Sequence, residues 1–524
     1  MVSKIILAIF PVLFATYTSA VPLISVEGAN FIESASGNRF QVVGVAYQPA
    51  GSSGYNPGSG VDPLSDGSTC LRDAALMQQL GINTVRVYNV DPKINHDLCA
   101  SIFNQVGIYL MIDVNSPLSG ENINRLEPWT SYYGAYLSRI FSVVEAFKNY
   151  PNTLLFFAGN EVVNDVETGE STPPYLRAVT RDLKNYISKN SKRKIPVGYS
   201  AADVRENLFD TWNYLLCSTT GEDDDPSRGD IFAVNSYSWC GDSSITESGY
   251  DTLLAGFANT SAPVFFSEYG CNTPAPRVFS EVPAIYGPVV SPVLSGGVVY
   301  EFSQEPANFG LVELKADGSA QVNSDFETLQ KQFGKLDRKS IQGTKPEKNK
   351  SKPPVCSASL ITSPKFNRSF KIPVPPPGAQ ELIDNGVPNP PVGKIIPVTN
   401  TAVKQKVLRS NGDPMTNLKI RPLAQNDTDS SPNTGNSSDT DRTINDAQPS
   451  PNDPGPPLND TKTPPKISRP EPNNDVMNPA SVPANIAAST PATSKQTDAK
   501  SIGSEKAQVS WTLVAALMML YLSN

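Results

Sequence analysis

The sequence is poor in histidine: His96 is the only one among 524 residues. A Ser-His-Asp hydrolase needs an imidazole to relay its proton, and zinc sites with mixed Cys/His ligands need histidine as well. Both classes are therefore improbable. None of the six cysteines belongs to a C-x-x-C pair, and we expect neither a metal nor a cofactor.

Aromatic residues are almost missing from the last third of the chain. Residues 341–508 contain only Phe366 and Phe370 but 27 of the 47 prolines. Such a segment cannot bury enough apolar surface to offset its ordering entropy, so we predict a disordered, low-complexity stalk. Residues 21–335 hold nearly all Tyr, Phe and Trp and are long enough for one large core. The net charge of -8 is mild and spread out, which argues against nucleic acid as a partner.

The apolar stretches at the two ends are short. Residues 1–20 combine Lys4, an apolar run and small residues before Val21, which is typical of a secretory signal peptide. The tail from Val509 to Leu522 is shorter than the roughly 20 residues needed to cross a bilayer. Small residues and a polar spacer precede it, so residues 501–524 are predicted to be a GPI-anchor signal with Ser501 as attachment residue. An ordinary membrane helix is the alternative.

An even number of cysteines in a secreted chain predicts disulfides, and six cysteines allow 15 connectivities. Secretion also predicts N-glycosylation at the N-x-S/T sites. These sites are Asn259, Asn367, Asn426, Asn436 and Asn459.

Eight short apolar runs alternate with polar or helical segments in residues 21–335. They are QVVGVAYQ (41–48), TVRVY (84–88), YLMIDV (109–114), TLLFFAGNE (153–161), IPVGYSAAD (195–203), IFAVNSYSW (231–239), PVFFSEYG (263–270) and GVVYEFSQE (297–305). Near-continuous apolar strands indicate burial on both faces, as in a parallel sheet covered by helices. The pattern predicts an α/β fold, a (β/α)8 TIM barrel. A doubly wound open sheet is the alternative, although no G-x-G-x-x-G follows the first strand.

Polar residues end these runs, and the active site of a barrel lies where its strands end. Glu161 and Glu268 each directly follow an apolar run, in FFAGNE and VFFSE. Glycosidic bond cleavage uses two fixed carboxyl groups and no histidine. Each glutamate has a simpler explanation, because negative charge also stabilises the first turn of a following helix. Asn160 favours the carbohydrate interpretation, since its amide can hydrogen-bond a sugar hydroxyl.

Several motifs carry a specific resemblance. YQPAGSSGYNPGSGVDPLSD, INTVRVYNVDP, GNEVVND, NSYSWCG and FSEYGCN resemble the fungal β-1,3-glucanosyltransferases of glycoside hydrolase family 72, through roughly residues 22–335. Only Cys356 lies beyond Cys271, so the chain is similar to the subfamily without a cysteine-rich glucan-binding module. The resemblance implies a secreted, GPI-anchored protein on the outer face of the plasma membrane and in the cell wall. It also implies β-1,3-glucan as donor and acceptor; we expect a monomer.

The resemblance implies roles for individual residues. Glu161 would be the acid/base and Glu268 the nucleophile of a retaining transferase that elongates cell-wall glucan. The alternatives are an endo-β-1,3-glucanase and an inactive glucan-binding wall protein. The implied substrate-binding residues are Gln48, Tyr88, Asp113, Asn115, Asn124, Asn160, Tyr237 and Tyr300, with Asp203 and Arg205 on the acceptor side. The implied disulfides are Cys70–Cys99, Cys240–Cys271 and Cys217–Cys356. The last one ties an ordered extension, residues 336–360, to the catalytic barrel at 21–335, ahead of the stalk at 361–500.

Overall fold

The computed structural model describes residues 21–51, 54–346 and 351–423. Its centre is a closed barrel of eight parallel strands, so the predicted (β/α)8 fold is confirmed. The barrel strands are β4 (Val42–Ala46), β5 (Thr84–Val87), β6 (Tyr109–Asp113), β7 (Thr153–Asn160), β8 (Val197–Ala202), β9 (Ile231–Asn235), β10 (Val264–Tyr269) and β11 (Leu294–Val299).

The last barrel strand differs most from its predicted range. β11 begins at Leu294 and ends at Val299, whereas the apolar run predicted residues 297–305. Gly296 has φ 85°, and a Cβ atom there would lie 2.1 Å from the Val42 carbonyl oxygen. The strand thus passes close to β4 at a position that only glycine fits, and the strand ladder ends at Val299.

Aromatic side chains fill the barrel interior at the end where the strands begin. A three-stranded antiparallel sheet, β1 (Ile24–Glu27), β2 (Asn30–Glu33) and β3 (Arg39–Phe40), precedes the first barrel strand. Phe31 packs edge-on against Phe265, and Phe40 packs against Tyr109 with ring centroids 5.1 Å apart. These aromatics close the end of the barrel at which the strands begin and leave the other end open.

Helices cover the outside of the barrel. They are α1 (Gly67–Leu80), α2 (Asp97–Gln105), α3 (Gly134–Phe147), α4 (Thr168–Ser171), α5 (Pro173–Asn190), α6 (Leu208–Leu216), α7 (Tyr250–Phe257), α8 (Glu281–Ile285) and α9 (Ser324–Gly334), followed by α10 (Arg338–Gly343). The strands β12 (Val312–Leu314) and β13 (Ala320–Val322) form a hairpin before α9. The larger of the two hydrophobic cores lies between these helices and the barrel strands. Amphipathic packing thus fixes the barrel from both sides.

The structure contains the three disulfides that the resemblance implied. Cys70–Cys99 joins α1 to α2, and Cys240–Cys271 joins the segments that follow β9 and β10. Cys217–Cys356 ties the chain beyond the barrel to the end of α6.

The prediction of a disordered stalk from residue 361 is wrong for residues 361–423. Residues 351–423, which we call the strap, contain α11 (Ala379–Asn385) and the strand β14 (Val407–Leu408), which pairs with β13. Phe366 and Ile383 of the strap are 4% and 2% exposed. The remainder of the predicted stalk and the anchor signal with Ser501 lie outside the described residues.

The strap is ordered because the helices around the barrel supply hydrogen-bond acceptors and apolar contacts that the strap itself lacks. Its backbone amides donate to side chains of the helical layer: Lys394 N to Asp97 Oδ1 at 2.8 Å and Ile396 N to Ser101 Oγ at 2.9 Å. The Val387 amide donates to the Tyr186 hydroxyl at 3.1 Å. A proline-rich segment therefore satisfies its polar groups and buries its few apolar residues without a core of its own.

The described chain begins and ends at the same end of the barrel. The Val21 amide donates to Asn104 Oδ1 at 3.2 Å, and the Leu423 amide donates to the Gln105 carbonyl at 2.9 Å. Asn104 and Gln105 lie at the end of α2, just before β6 begins. Both chain ends thus lie where the strands start, opposite the open end.

Two sequence features can be placed on this fold. Asn259 is exposed, whereas the side-chain amide of Asn367 donates to the Glu170 carbonyl at 2.7 Å, a bond that competes with a glycan there. Asn426, Asn436 and Asn459 lie outside the described residues. Within the described ranges, no helix is long and apolar enough to span a membrane.

Candidate active site

A cavity of about 830 Å³ opens where the barrel strands end. Ten of its lining residues carry the chemistry discussed below. They are Gln48, Tyr88, Asp113, Asn160, Glu161, Tyr237, Glu268, Tyr300, Glu301 and Phe309. The loops at residues 115–126 and 160–165 form much of one wall. The strand ends thus bring residues from distant parts of the chain into one cleft.

Arg86, on β5, is the hub of the site and is fully buried. Its guanidinium pairs with Asp113 at 2.8 Å and with Glu268 at 3.2 Å. It also donates to the side-chain oxygens of Asn160, at 2.9 Å, and Asn235, at 3.3 Å. Burial lowers the pKa of Arg86, but Asp113 and the other acidic neighbours raise it more, so the guanidinium stays charged. One cation thereby connects side chains from five strands.

Glu268, on β10, accepts hydrogen bonds on both carboxyl oxygens. Tyr88 donates to Oε1 at 2.9 Å, together with Arg86, and Tyr237 donates to Oε2 at 2.7 Å. Burial raises the pKa of Glu268 to about 7, against the lowering effect of Arg86 and the two tyrosine hydroxyls. Hydrogen bonds from three donors stabilise the charged form of Glu268. A carboxyl group of the cavity with fewer donors is stabilised less in its charged form.

Glu161 directly follows β7 and has a poorer set of donors. Asn235 donates to its Oε1 at 2.8 Å, and no hydrogen bond to its Oε2 forms within the described residues. Burial raises the pKa of Glu161, and Asn235, Arg86 and Arg125 only partly counteract this. Of the two glutamates, Glu161 is therefore the one suited to carry a proton while Glu268 carries charge.

The backbone at Glu161 adopts the left-handed region, with φ 49°. For a residue with a side chain this conformation costs on the order of 1–2 kcal/mol. The Glu161 amide donates to the Ser200 carbonyl of β8 at 2.8 Å, which holds the turn in place. Glu161, two residues after the run TLLFFAG, is thus a strained residue whose carboxyl group lines the cavity. A helix cap alone does not require this strain.

Aromatic side chains form one side of the cavity. Tyr300 packs edge-on against Tyr88 and Tyr237, with centroid distances of 6.4 Å and 6.2 Å. Phe309 packs 5.4 Å from both Tyr237 and Tyr300. Such rings can contact the C–H faces of a sugar while two of their hydroxyls hold Glu268.

The other predicted binding residues at the cavity differ in how many of their side-chain groups already form hydrogen bonds within the protein. The Asn160 side-chain oxygen is held by Arg86, whereas its Nδ2 group makes no hydrogen bond within the described ranges and is available to a ligand. Asn115 has both side-chain groups engaged, with Ala158 and Tyr136. The side-chain oxygen of Gln48 accepts from the backbone amides of residues 88 and 89, and that of Asn124 from residues 126 and 127. Asn115, Gln48 and Asn124 therefore shape the cavity walls.

Asp203 and Arg205 do not line this cavity. They pair with each other after β8, and Asp203 also accepts from Ser236 Oγ at 2.7 Å. Arg205 donates to the Gly249 carbonyl at 3.1 Å. Their predicted place on the acceptor side stays a prediction.

The sequence reasoning missed four residues of the cavity and its network: Arg86, Arg125, Asn235 and Glu301. Arg86 and Asn235 carried a usable signal, because a charged or amide residue inside an apolar strand must find partners. Their motifs, TVRVY and IFAVN, contained them. Glu301 directly follows the apolar residues GVVY, the same strand-end signal that marks Glu161 and Glu268, whereas no comparable signal marks Arg125. The described residues contain no group of three or more potential metal ligands.

Comparisons with known proteins agree with this geometry. A family model described as Glucanosyltransferase matches residues 13–337. The chain is 51% identical over 410 residues to 1,3-beta-glucanosyltransferase gel2 of Aspergillus fumigatus, covering 78% of this chain and 85% of that protein. It is 44% identical over 340 residues to 1,3-beta-glucanosyltransferase GAS4 of Saccharomyces cerevisiae, covering 65% and 71%. It is also similar to a structure of Saccharomyces cerevisiae Gas2p in complex with laminaritriose and laminaritetraose, with TM-score 0.60 and 35% identity, covering 69% of this chain and 78% of that one.

Proposed function

This chain belongs to the glucanosyltransferase family, and from that premise we propose that it is a retaining β-1,3-glucanosyltransferase. It cleaves an internal bond of one β-1,3-glucan and transfers the new reducing end to the non-reducing end of another. The observation that carries the proposal is the pair Glu161 and Glu268, which follow β7 and end β10, face one cavity and have unequal donor sets.

The first half-reaction uses Glu268 as nucleophile. Its carboxylate attacks the anomeric carbon of the glucosyl unit in the cavity, and the glycosidic carbon–oxygen bond breaks. Glu161 gives its proton to the departing oxygen, so the fragment carrying the original reducing end leaves with a hydroxyl group. Tyr88, Tyr237 and Arg86 favour the charged form of Glu268 and orient its carboxylate for the attack.

The second half-reaction reverses the roles at Glu161. A 3-hydroxyl at the non-reducing end of a second glucan loses its proton to Glu161 and attacks the anomeric carbon, which releases Glu268. Two inversions give retention. Once the ester forms, Glu268 has no charge, so the pKa of Glu161 falls and the residue can act as base before it acts as acid again.

The test is the product distribution from a borohydride-reduced laminari-oligosaccharide. We expect products longer than the substrate, whereas an endo-β-1,3-glucanase gives only shorter ones. Glu161→Gln and Glu268→Gln should abolish both kinds of product while the protein remains folded. Wild-type levels of elongation in either variant would refute the assignment.

Glu281→Gln is the matched control. Glu281 is a buried glutamate on α8, outside the cavity, and burial raises its pKa to about 7. The same chemical change there should leave elongation intact. An inactive glucan-binding protein would show no turnover in any of these proteins.

The setting of the enzyme is part of the proposal. The predicted signal peptide at residues 1–20 and the predicted anchor signal at 501–524 support an enzyme held by a GPI anchor on the outer face of the plasma membrane, with access to cell-wall glucan, and we propose that it acts as a monomer. Phospholipase C specific for glycosylphosphatidylinositol should release it from intact cells. Retention after that treatment, together with release by carbonate, would contradict a GPI anchor.

A further inference from the structure

Glu301 is a third glutamate of the cavity, and the reaction described above does not use it. It lies two residues beyond the end of β11 and lines the cavity beside Tyr300. Its residue is only 3% exposed. A carboxyl group this deeply buried next to a nucleophile needs an explanation, because carboxyl groups are rarely buried unless they are paired.

Glu301 has no counter-ion within the described residues. The cation that acts on Glu301 is Arg277, whose guanidinium is already engaged by other groups. It donates to the Tyr300 carbonyl at 2.8 Å and the Phe309 carbonyl at 2.6 Å, and it pairs with Asp325 at 2.8 Å. Arg86 is shared between Asp113 and Glu268. A negative charge on Glu301 would therefore be uncompensated.

The surroundings of Glu301 disfavour a second negative charge. Its Oε1 atom is buried without a hydrogen-bond partner within the described ranges. Burial, together with the charges of Glu305 and Glu268, raises the pKa of Glu301 to about 9, against the lowering effects of the Tyr300 hydroxyl and Arg277. At neutral pH the carboxyl group is thus protonated and offers an O–H donor, which a carboxylate cannot offer.

We propose that Glu301 is a further substrate-binding residue, whose neutral carboxyl group hydrogen-bonds a hydroxyl group of the glucan in the cavity. The proposal rests on the glucanosyltransferase function argued above. The other carboxyl groups that line the cavity have other tasks: Asp113 is paired with Arg86, Asp165 accepts from the Thr168 amide at 2.7 Å, and Glu161 and Glu268 are assigned to the chemistry. Glu301 therefore supplies a donor that can recognise the polyhydroxylated ligand without adding charge beside Glu268.

The test compares two substitutions at Glu301. Glu301→Gln keeps the size, the neutral state and a hydrogen-bond donor, so kcat/KM for elongation should stay within about threefold of wild type. Glu301→Met keeps the size and removes the donor, so kcat/KM should fall about tenfold, through KM, as expected for one lost hydrogen bond to a ligand. Thermal melting of both variants checks that they fold.

Two outcomes would overturn the proposal. A Glu301→Gln variant as inactive as Glu268→Gln would mean that a charged carboxylate is required at this position. Wild-type kinetics in Glu301→Met would mean that the group does not contact substrate. Glu281→Gln and Glu281→Met, at the buried glutamate outside the cavity, control for general effects of replacing a buried carboxyl.

A binding experiment separates this proposal from the proposed function. Glu161→Gln protein, which should not turn over its ligand, is titrated with a laminari-oligosaccharide between pH 6 and pH 10. Affinity should weaken above about pH 9 as Glu301 loses its proton, and this weakening should be absent from the Glu161→Gln/Glu301→Gln double variant. The same weakening in both proteins would overturn the proposal. Absence of elongation by wild type would instead overturn the function, and the binding comparison would still decide the role of Glu301.

Discussion

Removal of the Tyr237 hydroxyl should change the pH dependence of the reaction in a calculable direction. In Tyr237→Phe, Glu268 loses the donor to its Oε2 and keeps Tyr88 and Arg86 on Oε1. A hydrogen bond to a charged group contributes about 1.5–3 kcal/mol, and one pKa unit corresponds to about 1.4 kcal/mol. The lost bond stabilised the carboxylate, so the pKa of Glu268 should rise by about one to two units.

The assay is kcat/KM for elongation of a reduced laminari-oligosaccharide as a function of pH. The nucleophile must be ionised, so the acid limb of the profile reports the loss of activity as Glu268 takes up a proton. With a Glu268 pKa of about 7 we expect this limb near pH 7 in wild type, and in Tyr237→Phe it should lie about one to two pH units higher. The alkaline limb, which reports the proton on Glu161, should move much less.

Tyr109→Phe provides the matched control. The Tyr109 hydroxyl donates to the Pro22 carbonyl at 2.6 Å. This bond lies at the closed end of the barrel, opposite the cavity that holds Glu161 and Glu268. The same loss of a phenolic hydroxyl there should leave both limbs in place. If Tyr237→Phe lowered kcat with an unmoved acid limb, Tyr237 would contact sugar without tuning the nucleophile, and the reasoning would fail.

Three further changes test other parts of the structure. Glu161→Gly should be at least as stable in urea denaturation as Glu161→Ala, because relief of about 1–2 kcal/mol of left-handed strain offsets the roughly 0.5–1 kcal/mol that glycine otherwise costs; a less stable glycine variant would contradict the strain. Arg125→Gln should raise the pKa of Glu161 and shift the alkaline limb upward by about half a pH unit, and an unmoved limb would remove Arg125 from the site's electrostatics. A chain ending at residue 360 should melt about 5 °C or more below one ending at residue 423, and equal melting temperatures would mean that the strap does not stabilise the barrel.

The barrel and the two glutamates were predictable because they follow local rules. Each strand is a nearly continuous apolar run, and strand ends meet at one end of a closed barrel whatever their separation in the chain. Glu161 and Glu268 needed no knowledge of their neighbours to be picked out. Tyr88, Tyr237 and Tyr300 also stand near strand ends, but their substrate-binding role was implied by the family resemblance.

The network behind these residues was not predictable from the same rules. Arg86 lies inside a strand, and its importance comes from four partners on other strands, which only the closed barrel brings together. Glu301 stands at a strand end, but its protonation state depends on burial and on where Arg277 directs its donors, which the sequence does not show. Sequence position identified the reacting groups, and the fold was needed to identify what sets their charge.

The strap shows where composition misleads. Few aromatics and many prolines correctly indicate a segment that cannot form its own core. The prediction failed because Phe366, Ile383 and Val387 need no core of their own when the helical layer offers one. Their irregular spacing carries neither a helical nor a strand period, so no periodicity could have revealed them.

The position of Leu423 has a practical consequence. Because the described chain ends beside Gln105, at the pole where the barrel strands start, any support attached through later residues begins from the side remote from the catalytic cleft. A support attached directly after residue 423 would therefore leave the open end of the barrel free. Coupling through the opposite pole, by contrast, would place the support directly in the path of both glucan chains.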